Sequence, residues 1–262
     1  MTDTDLIYQK IRALIQNAKL PSFAVFDFDN TCIVNDITEA TFAYMARHNL
    51  FEDKNLLGGR FEDAGSPAYS KALFDNYWKL IEKDDIKEAY EFISKILSGF
   101  DAHEVSALVS KVIEFEGDNI TTDMLFGRKI AKGIKPGKQI IKLIDLCKSN
   151  NIEPWIISAS IEVLVKEAMK HFNIDGQVIG VQTSIINGKF TAQLKKPLSM
   201  FEGKVKCIKK YIDSKKIPLL GAGDSIYDLP MLEYCTTKVV VDRNNALTAK
   251  AKENNWFLIR QV

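Results

Sequence analysis

The chain has 262 residues, of which 46% are hydrophobic and 26% are charged, and its formal net charge at pH 7 is +1. These proportions are typical of a globular enzyme, and the length is sufficient for a large core plus an accessory domain. Because a net charge near zero gives no extended field for a polyanion, the composition does not favour nucleic acid or an anionic membrane surface as a partner.

The N-terminal segment predicts a helix rather than a targeting signal. Residues 1–6 include acidic side chains and have neither the basic nor the apolar region of a secretory signal, so we expect a cytoplasmic protein. No stretch of the chain approaches 18 consecutive apolar residues, so no membrane span is expected. Residues 5–19 have the spacing of an amphipathic helix. Its predicted apolar face consists of Leu6, Ile7, Ile11, Leu14 and Ile15.

Two carboxylates follow the first strongly apolar run. Residues 23–31 have the sequence Phe-Ala-Val-Phe-Asp-Phe-Asp-Asn-Thr, so Asp27 and Asp29 stand at the C-terminal end of a predicted buried strand. One such carboxylate can attack phosphorus while the other handles the leaving-group proton, with Mg²⁺ between the carboxylates and the phosphate. The alternative is a polar turn, because Asp and Asn are both common in turns.

Residues 37–128 differ from their surroundings in having helical periodicity. The apolar stripes include Ile86, Tyr90 and Ile93, and then Val105, Leu108 and Val112. Residues 42–100 also hold eleven of the chain's 26 aromatic residues, and we expect most of them in the core of this region.

A second polar group follows the apolar run at residues 154–157. Ser158 ends this run, and residues 161–169 continue with helical spacing. Ser158 can therefore donate a hydrogen bond to a phosphate oxygen at a helix N-terminus. Alternatively, Ser160 is the N-cap of that helix and Ser158 is a small turn residue.

Two more motifs lie in the C-terminal part of the chain. Lys204 is at the head of a predicted short amphipathic helix, where most lysines are simply solvated. Residues 217–228 contain an apolar run, a glycine-rich bend and then Asp224 and Asp228. A Gly-Asp-Ser-x-x-Asp pattern after a strand has few explanations other than a functional site.

The remaining predicted strands complete the C-terminal half. Residues 179–186 and 189–194 flank Asn187-Gly188 and predict a β-hairpin. Residues 239–242 predict the last parallel strand.

Three of the four motifs lie at the C-terminal ends of nearly continuous apolar runs. Such runs, separated by helical stretches, predict strands of a parallel sheet that is buried on both faces. Because the carboxyl ends of parallel strands share one edge of the sheet, and open α/β sheets bind ligands there, we expect the motifs to converge.

Together the four motifs resemble those of the haloacid dehalogenase-like superfamily, in its phosphoserine-phosphatase-like branch. The resemblance rests on Asp27, Asp29, Thr31, Ser158, Lys204, Asp224 and Asp228, and it extends from residue 23 to about residue 241. It implies an α/β fold with a Rossmann-like parallel sheet and helices on both faces. This core would comprise residues 1–36 and 129–262, and residues 37–128 would form an inserted helical cap of the C1 type.

The resemblance also implies a role for each motif residue. Asp27 would be the nucleophile, Asp29 the general acid and base, and Lys204 the cation that screens the transition state. The implied substrate-binding residues are Thr31, Asp36, Ser158 and Ala159. The implied Mg²⁺ site comprises Asp27, Asp29 through its backbone carbonyl, Asp224 and Asp228, the last supporting a metal-bound water or Lys204. A dehalogenase has no alcohol to protonate, so the presence of Asp29 favours a small phosphomonoester as the substrate.

The identity of the substrate is less constrained. Asp36 stands nine residues after the nucleophile, where phosphoserine-phosphatase-like enzymes place a carboxylate against an amino group, but it is equally suited to cap the helix that starts near Ile37. The stretches Asp-Asn-Thr at 29–31, Asn-Asp-x-x-Glu at 35–39, Ser-Ala-Ser at 158–160 and Glu-Gly-Lys at 202–204 resemble the phosphorylcholine-phosphatase-like members. A quaternary ammonium also suits an aromatic-rich cap. Phosphoserine is the alternative, with Arg60 holding its carboxylate.

Two other classes of protein remain open. A phosphotransferase or mutase would pass the phosphoryl group to an acceptor other than water, and a non-catalytic metal-binding regulator would use the same fold without turnover. A zinc site and a disulfide framework are not expected, because the four cysteines lack a Cys-x-x-Cys pair and the three histidines are dispersed. The sequence does not indicate an oligomeric state.

Overall fold

The computed structural model describes residues 3–20 and 22–260, and within them the chain forms ten α-helices and twelve strands. The helices are α1 (Asp3–Gln16), α2 (Ile37–His48), α3 (Pro67–Glu82), α4 (Ile86–Ile93), α5 (Val105–Glu116), α6 (Lys138–Ser149), α7 (Glu162–Phe172), α8 (Glu202–Tyr211), α9 (Leu229–Tyr234) and α10 (Ala246–Glu253). The strands are β1 (Ser22–Phe26), β2 (Ile33–Val34), β3 (Thr121–Leu125), β4 (Arg128–Lys132), β5 (Lys135–Pro136), β6 (Ile152–Ile161), β7 (Gln177–Val181), β8 (Thr183–Ile186), β9 (Lys189–Leu194), β10 (Leu220–Gly223), β11 (Thr237–Val241) and β12 (Phe257–Ile259). Short 3₁₀ helices lie at Ala102–Glu104 and Ile226–Asp228.

A parallel sheet organises the described residues, with six strands in the order β12-β11-β10-β1-β6-β7. Successive residues of β1 pack on opposite faces of the sheet. Ala24 and Phe26 belong to an apolar cluster that includes residues of α6 and α7, whereas Phe23 and Val25 belong to a cluster that includes residues of α8 and α9. Because both faces are covered, every residue of the strand interior must be apolar. The predicted α/β fold with helices on both faces of the sheet is confirmed.

The outermost strand on the β11 side of the sheet differs from the prediction. β11 covers most of the predicted strand at residues 239–242, but it is not the last strand, because β12 pairs with it in parallel. β12 has three residues and only Ile259 is buried, so its sequence carries little of the apolar signal of an interior strand.

The predicted hairpin is shorter than its apolar pattern indicates. Gln182 divides the predicted first arm, so that β7 joins the central sheet and β8 alone pairs with β9. The turn has the predicted chemistry, since Asn187 and Gly188 both have positive φ, 51° and 78°. These values suit a two-residue hairpin turn of type I′.

The N-terminal helix packs against the edge strand β12. Ile11 and Ile15 are buried as predicted, but Leu14 is 44% exposed, because a helix at the edge of the sheet covers only a narrow stripe. The side chain of Leu6 and residues 1 and 2 lie outside the described residues. Among the described helices, none has the length and apolar character needed to cross a membrane.

A helical segment is inserted between β2 and β5, which pair antiparallel with each other. It contains α2 to α5 and the β3–β4 hairpin. Asp36 caps α2 by accepting a hydrogen bond from the backbone N–H of Glu39 at 2.8 Å, as predicted for a helix start. The hairpin runs across the predicted boundary between residues 128 and 129, and the division into a core and a cap stays a prediction.

Candidate active site

The strand order brings three of the four motifs side by side. β1 lies between β10 and β6, so Asp27, which follows β1, has Asp224 on one side and Ser158 on the other. The backbone N–H of Asp27 donates to the carbonyl of Ala222 at 2.9 Å and continues the ladder one residue past the strand. The carboxyl side chains thus stand at the edge of the sheet where α/β folds bind ligands.

Lys204 joins two of these carboxylates. Its Nζ lies 2.6 Å from Oδ1 of Asp27 and 2.6 Å from Oδ1 of Asp228, and the residue is 2% exposed. Burial alone would lower its pKa, but the charges of Asp228 and Asp27 outweigh burial and raise the pKa above its usual value. Lys204 therefore stays charged and contributes a fixed cation next to Asp27.

The loop after β10 is held by Asp228. The backbone N–H groups of Asp224 and Ser225 both donate to Oδ2 of Asp228 at 3.1 Å. Gly223 makes this approach possible, because a Cβ at that position would lie 2.7 Å from the Cβ of Asp228. Asp228 thus orients both Lys204 and the backbone that carries Asp224.

Three buried carboxylates converge in a way that fits a divalent cation. Asp27, Asp224 and Asp228 each offer an oxygen within 4.8 Å of the others. Burial, and next the charge of Asp228, raises the pKa of Asp27 to about 7 and raises that of Asp224 well above its usual value. Such mutually repelling carboxylates are a suitable ligand set for Mg²⁺, which prefers carboxylate oxygens.

Asp29 is held in a separate hydrogen-bonded pocket. Its Oδ1 accepts from the backbone N–H of Ile37 at 2.8 Å, and its Oδ2 accepts from the hydroxyls of Ser160 at 2.7 Å and Ser158 at 3.2 Å. Burial, followed by the charge of Asp36, raises the pKa of Asp29 to about 8 despite these donors. At neutral pH a carboxyl group of this kind can carry the proton that a general acid must deliver.

The carboxyl groups of the site, together with Lys204 and Ser160, line a cavity of about 100 Å³. Among the described residues, its lining includes six carboxyl groups and one cationic side chain, Lys204. The acidic residues are Asp27, Asp29, Asp36, Glu39, Asp224 and Asp228. The cavity is therefore strongly acidic unless cations occupy it.

Not every predicted substrate-binding residue reaches the cavity. Asp36 and Ala159 line it, whereas Thr31 and Ser158 are fully buried behind it. The hydroxyl of Thr31 lies 3.5 Å from Oδ1 of Asp224, and that of Ser158 contacts Asp29. Ser160, for which the sequence indicates only a helix cap, lines the cavity instead, because β6 continues to Ile161 and α7 begins one residue later.

Several lining residues are not identified as site residues by the sequence. The most prominent are Glu39, Tyr77, Tyr90, Phe201 and Tyr227. Glu39 follows the capping residue Asp36 by three positions, and Tyr77 and Tyr90 belong to the aromatic-rich segment for which a core position is the default prediction. Arg60, in contrast, is exposed and lines a different surface cleft.

Phe201 has an unusual backbone conformation next to Lys204. Its φ is 51° and its ψ is −130°, a combination that glycine adopts readily and bulky residues do not. The N–H of Gly203 donates to the carbonyl of Met200 at 2.7 Å and closes the turn in which Phe201 lies. This turn starts α8 and so fixes where Lys204 emerges from the helix.

The strain at Phe201 leads to a prediction on stability. We expect Phe201→Gly to be more stable than Phe201→Ala by about 1–2 kcal/mol, because both remove the ring but only glycine relieves the backbone. Denaturant unfolding of the two variants measures the difference. Position 92, inside α4, is the control. There we expect Phe92→Ala to be more stable than Phe92→Gly by about 1 kcal/mol, since glycine weakens a helix interior. Equal stabilities at position 201 would contradict a strained turn.

Comparison with known proteins assigns the chain to one family. Residues 24–233 match the haloacid dehalogenase-like hydrolases, and the chain belongs to this family. It is 28% identical to a phosphorylcholine phosphatase of Pseudomonas aeruginosa over 83% of this chain and 72% of that protein.

Solved structures agree on the fold. A conserved protein of unknown function from Anaerococcus prevotii superimposes with a TM-score of 0.74 at 22% identity, covering 97% of this chain and 91% of that one. A substrate-bound phosphoserine phosphatase superimposes with a TM-score of 0.56 at 14% identity, covering 92% and 94%. The predicted membership of the haloacid dehalogenase-like superfamily is confirmed, and the fold is shared with a phosphoserine phosphatase.

Proposed function

We propose that this protein is a Mg²⁺-dependent phosphomonoesterase that hydrolyses a small phosphorylated metabolite through a phospho-aspartyl intermediate. The observation that carries the proposal is the contact between buried Lys204 and Asp27 in a cavity that also holds Asp29. A carboxylate cannot approach a phosphate dianion without an adjacent cation, and Lys204 supplies one at the attacking group.

The two aspartates divide the chemistry. An oxygen of Asp27 forms a bond to phosphorus as the ester P–O bond breaks, and the proton held by Asp29 goes to the leaving alcohol. Asp29 then accepts a proton from the water that attacks phosphorus, which releases phosphate and restores Asp27. The raised pKa of Asp29, about 8, suits the first of these steps at neutral pH.

Asp27 and Asp224 would hold the Mg²⁺ ion, with Asp228 and the backbone carbonyl of Asp29 as the further predicted contacts. When bound, the ion would neutralise charge on the phosphoryl oxygens. Its fit to the site rests on the three converging buried carboxylates described above.

Residues 37–128 would act as a cap over this chemistry. Glu39 of α2, Tyr77 of α3 and Tyr90 of α4 all line the cavity together with the catalytic aspartates. A cap in this position would exclude bulk water from the reaction and select the substrate. The cytoplasmic location stays a prediction.

A cationic head group on the substrate fits the charge of the cavity. With Asp29 protonated, five carboxyl groups remain, and when ionised they exceed the three positive charges of Lys204 and a divalent ion by two. Phosphocholine and phosphoethanolamine each bring a cation of their own, and the relative from Pseudomonas aeruginosa is a phosphorylcholine phosphatase. Phosphoserine is the alternative, but the cation proposed for its carboxylate, Arg60, lines a separate cleft.

The phosphatase chemistry is tested by a phosphate-release screen. The purified protein, freed of metal with a chelator, is given phosphocholine, phosphoethanolamine, phosphoserine and a sugar phosphate with no acceptor other than water. We expect release only after Mg²⁺ is added, and inhibition by Ca²⁺, whose larger coordination sphere misplaces nucleophile and phosphate. Full activity in excess chelator would refute the metal assignment, and transfer only to an added alcohol would identify a phosphotransferase.

Asp36 provides a test of the cationic head group. Asn caps a helix as well as Asp does, so Asp36→Asn removes the charge and keeps the cap on α2. For phosphoethanolamine, whose ammonium can donate to Asp36, a charge-assisted hydrogen bond of about 1.5–3 kcal/mol predicts a roughly ten- to 150-fold fall in kcat/KM. Phosphocholine has no N–H and keeps only the charge attraction, so its kcat/KM should fall toward the lower end of this range. The loss should be much smaller for an uncharged aryl phosphate. An equal loss for phosphoethanolamine and the aryl phosphate would show that Asp36 serves the catalytic frame rather than the head group.

A further inference from the structure

Three aromatic rings form a continuous surface in the cavity. Tyr90 comes from α4, Phe201 precedes α8 and Tyr227 lies in the 3₁₀ helix after β10. The ring centroids are 6.2 Å apart for Tyr90 and Phe201, 5.2 Å for Phe201 and Tyr227, and 6.3 Å for Tyr90 and Tyr227. We call these three residues the aromatic wall.

Two members of the aromatic wall pack against an apolar cluster. Tyr90 and Phe201 pack against a small apolar cluster that contains Leu198 and Met200. Phe201 also has the positive-φ conformation described above, which an ordinary packing residue would not require. Strained residues of this kind cluster at ligand-binding sites, where the surroundings hold them in place.

The wall lies within electrostatic reach of the acidic side chains. Burial, and then the charges of Asp36 and Glu39, raises the pKa of the Tyr90 phenol well above its usual value. Both carboxyl groups line the same cavity as the three rings. An aromatic surface close to carboxylates attracts a cation through the ring faces and through the negative charge.

We infer that the aromatic wall of Tyr90, Phe201 and Tyr227 binds a quaternary ammonium group of the substrate and favours it over a primary ammonium group. The inference rests on the proposed phosphomonoesterase function and specifies the class of substrate more closely. A quaternary ammonium has no N–H to donate and is weakly hydrated, so ring faces replace its water at little cost. A primary ammonium loses hydrogen bonds to water that rings cannot return.

The test compares phosphocholine with 3,3-dimethylbutyl phosphate, in which carbon replaces the nitrogen and the shape is kept. We expect wild-type kcat/KM to be at least tenfold higher for phosphocholine than for this neutral ester or for phosphoethanolamine. Tyr227→Leu and Phe201→Leu should each lower the ratio of phosphocholine to neutral ester by roughly two- to 30-fold. Tyr227→Phe, which keeps the ring, should retain the ratio. Tyr211→Leu is the surface control, since Tyr211 is 49% exposed on α8.

A second measurement does not depend on any variant. Tetramethylammonium should inhibit wild-type hydrolysis of the neutral ester competitively, and methylammonium at the same ionic strength should inhibit far less.

The outcomes separate the two proposals. A wild-type ratio near one, equal inhibition by the two ammonium ions, or an unchanged ratio in folded Tyr227→Leu and Phe201→Leu would overturn the aromatic wall and leave the phosphatase chemistry standing. If the protein releases phosphate from no ester at all, the proposed function fails and the wall assignment fails with it.

Discussion

Asp27→Asn should abolish turnover and leave the fold intact. The amide is nearly isosteric with the carboxylate, but it is a poor nucleophile, so we expect kcat to fall on the order of 10⁴–10⁶-fold, as is typical when a residue central to the reaction is removed. The fold should survive because Lys204 keeps its second partner, Asp228, at 2.6 Å. Steady-state phosphate release and a thermal melt of the same preparation measure the two effects.

A matched control separates this effect from a general loss of negative charge. Asp145→Asn neutralises an exposed carboxylate on α6 that does not line the cavity, and it should leave kcat within about twofold of wild type. Substantial residual turnover in Asp27→Asn, within tenfold of wild type, would rule out a phospho-aspartyl intermediate on this residue.

The central fold can be predicted because interior parallel strands have an unambiguous sequence signature. β1 and β10 are buried on both faces, and their near-continuous apolar runs indicate both the strand and its end. β12 lacks this signature because it is short and lies at the edge. The break between β7 and β8 is not predictable because Gln182 is followed by Thr183 and Ser184, which a strand also accommodates. The side chain of Gln182 donates to Glu162 at the start of α7. That contact is tertiary and has no local pattern.

The residues of the site also differ in whether the sequence predicts their position. Residues fixed by the strand ends, such as Asp27 and Asp224, can be placed together from the apolar runs alone, because strand topology dictates their convergence. Ser160 cannot, because its role depends on β6 extending to Ile161. The aromatic wall cannot either, since its members are separated by more than 100 and by 26 positions, and Tyr90 has the helical spacing of an ordinary core residue. The catalytic and metal-binding roles themselves stay predictions.

Lys204→Met should be both destabilising and nearly inactive. Lys204 is the cation that offsets Asp27 and Asp228 in a buried setting, and removing one partner of a buried ion pair typically costs about 3–5 kcal/mol. We expect kcat to fall on the order of 10²–10³-fold, comparable to the loss of one preorganised group that stabilises transition-state charge. Methionine keeps most of the volume of the side chain, so the loss reports the charge rather than a void.

The destabilisation should depend on pH in a definite direction. The folded-state pKa of Asp27 is already raised to about 7, and without Lys204 it rises further. A carboxyl group whose folded pKa is raised binds protons more tightly in the folded state than in the unfolded state. The stability of the protein therefore falls as pH increases from the unfolded pKa to the folded pKa, and a higher folded pKa extends this fall to higher pH. In chelator, the difference in unfolding free energy between Lys204→Met and wild type should therefore be larger at pH 8 than at pH 5.

Lys206→Met, on the exposed side of the same helix, should show neither the loss nor the pH dependence, because exposed lysines contribute little. A loss at position 204 that is equal at both pH values would mean that the lysine contributes packing alone, and that the carboxylates beside it do not need its charge.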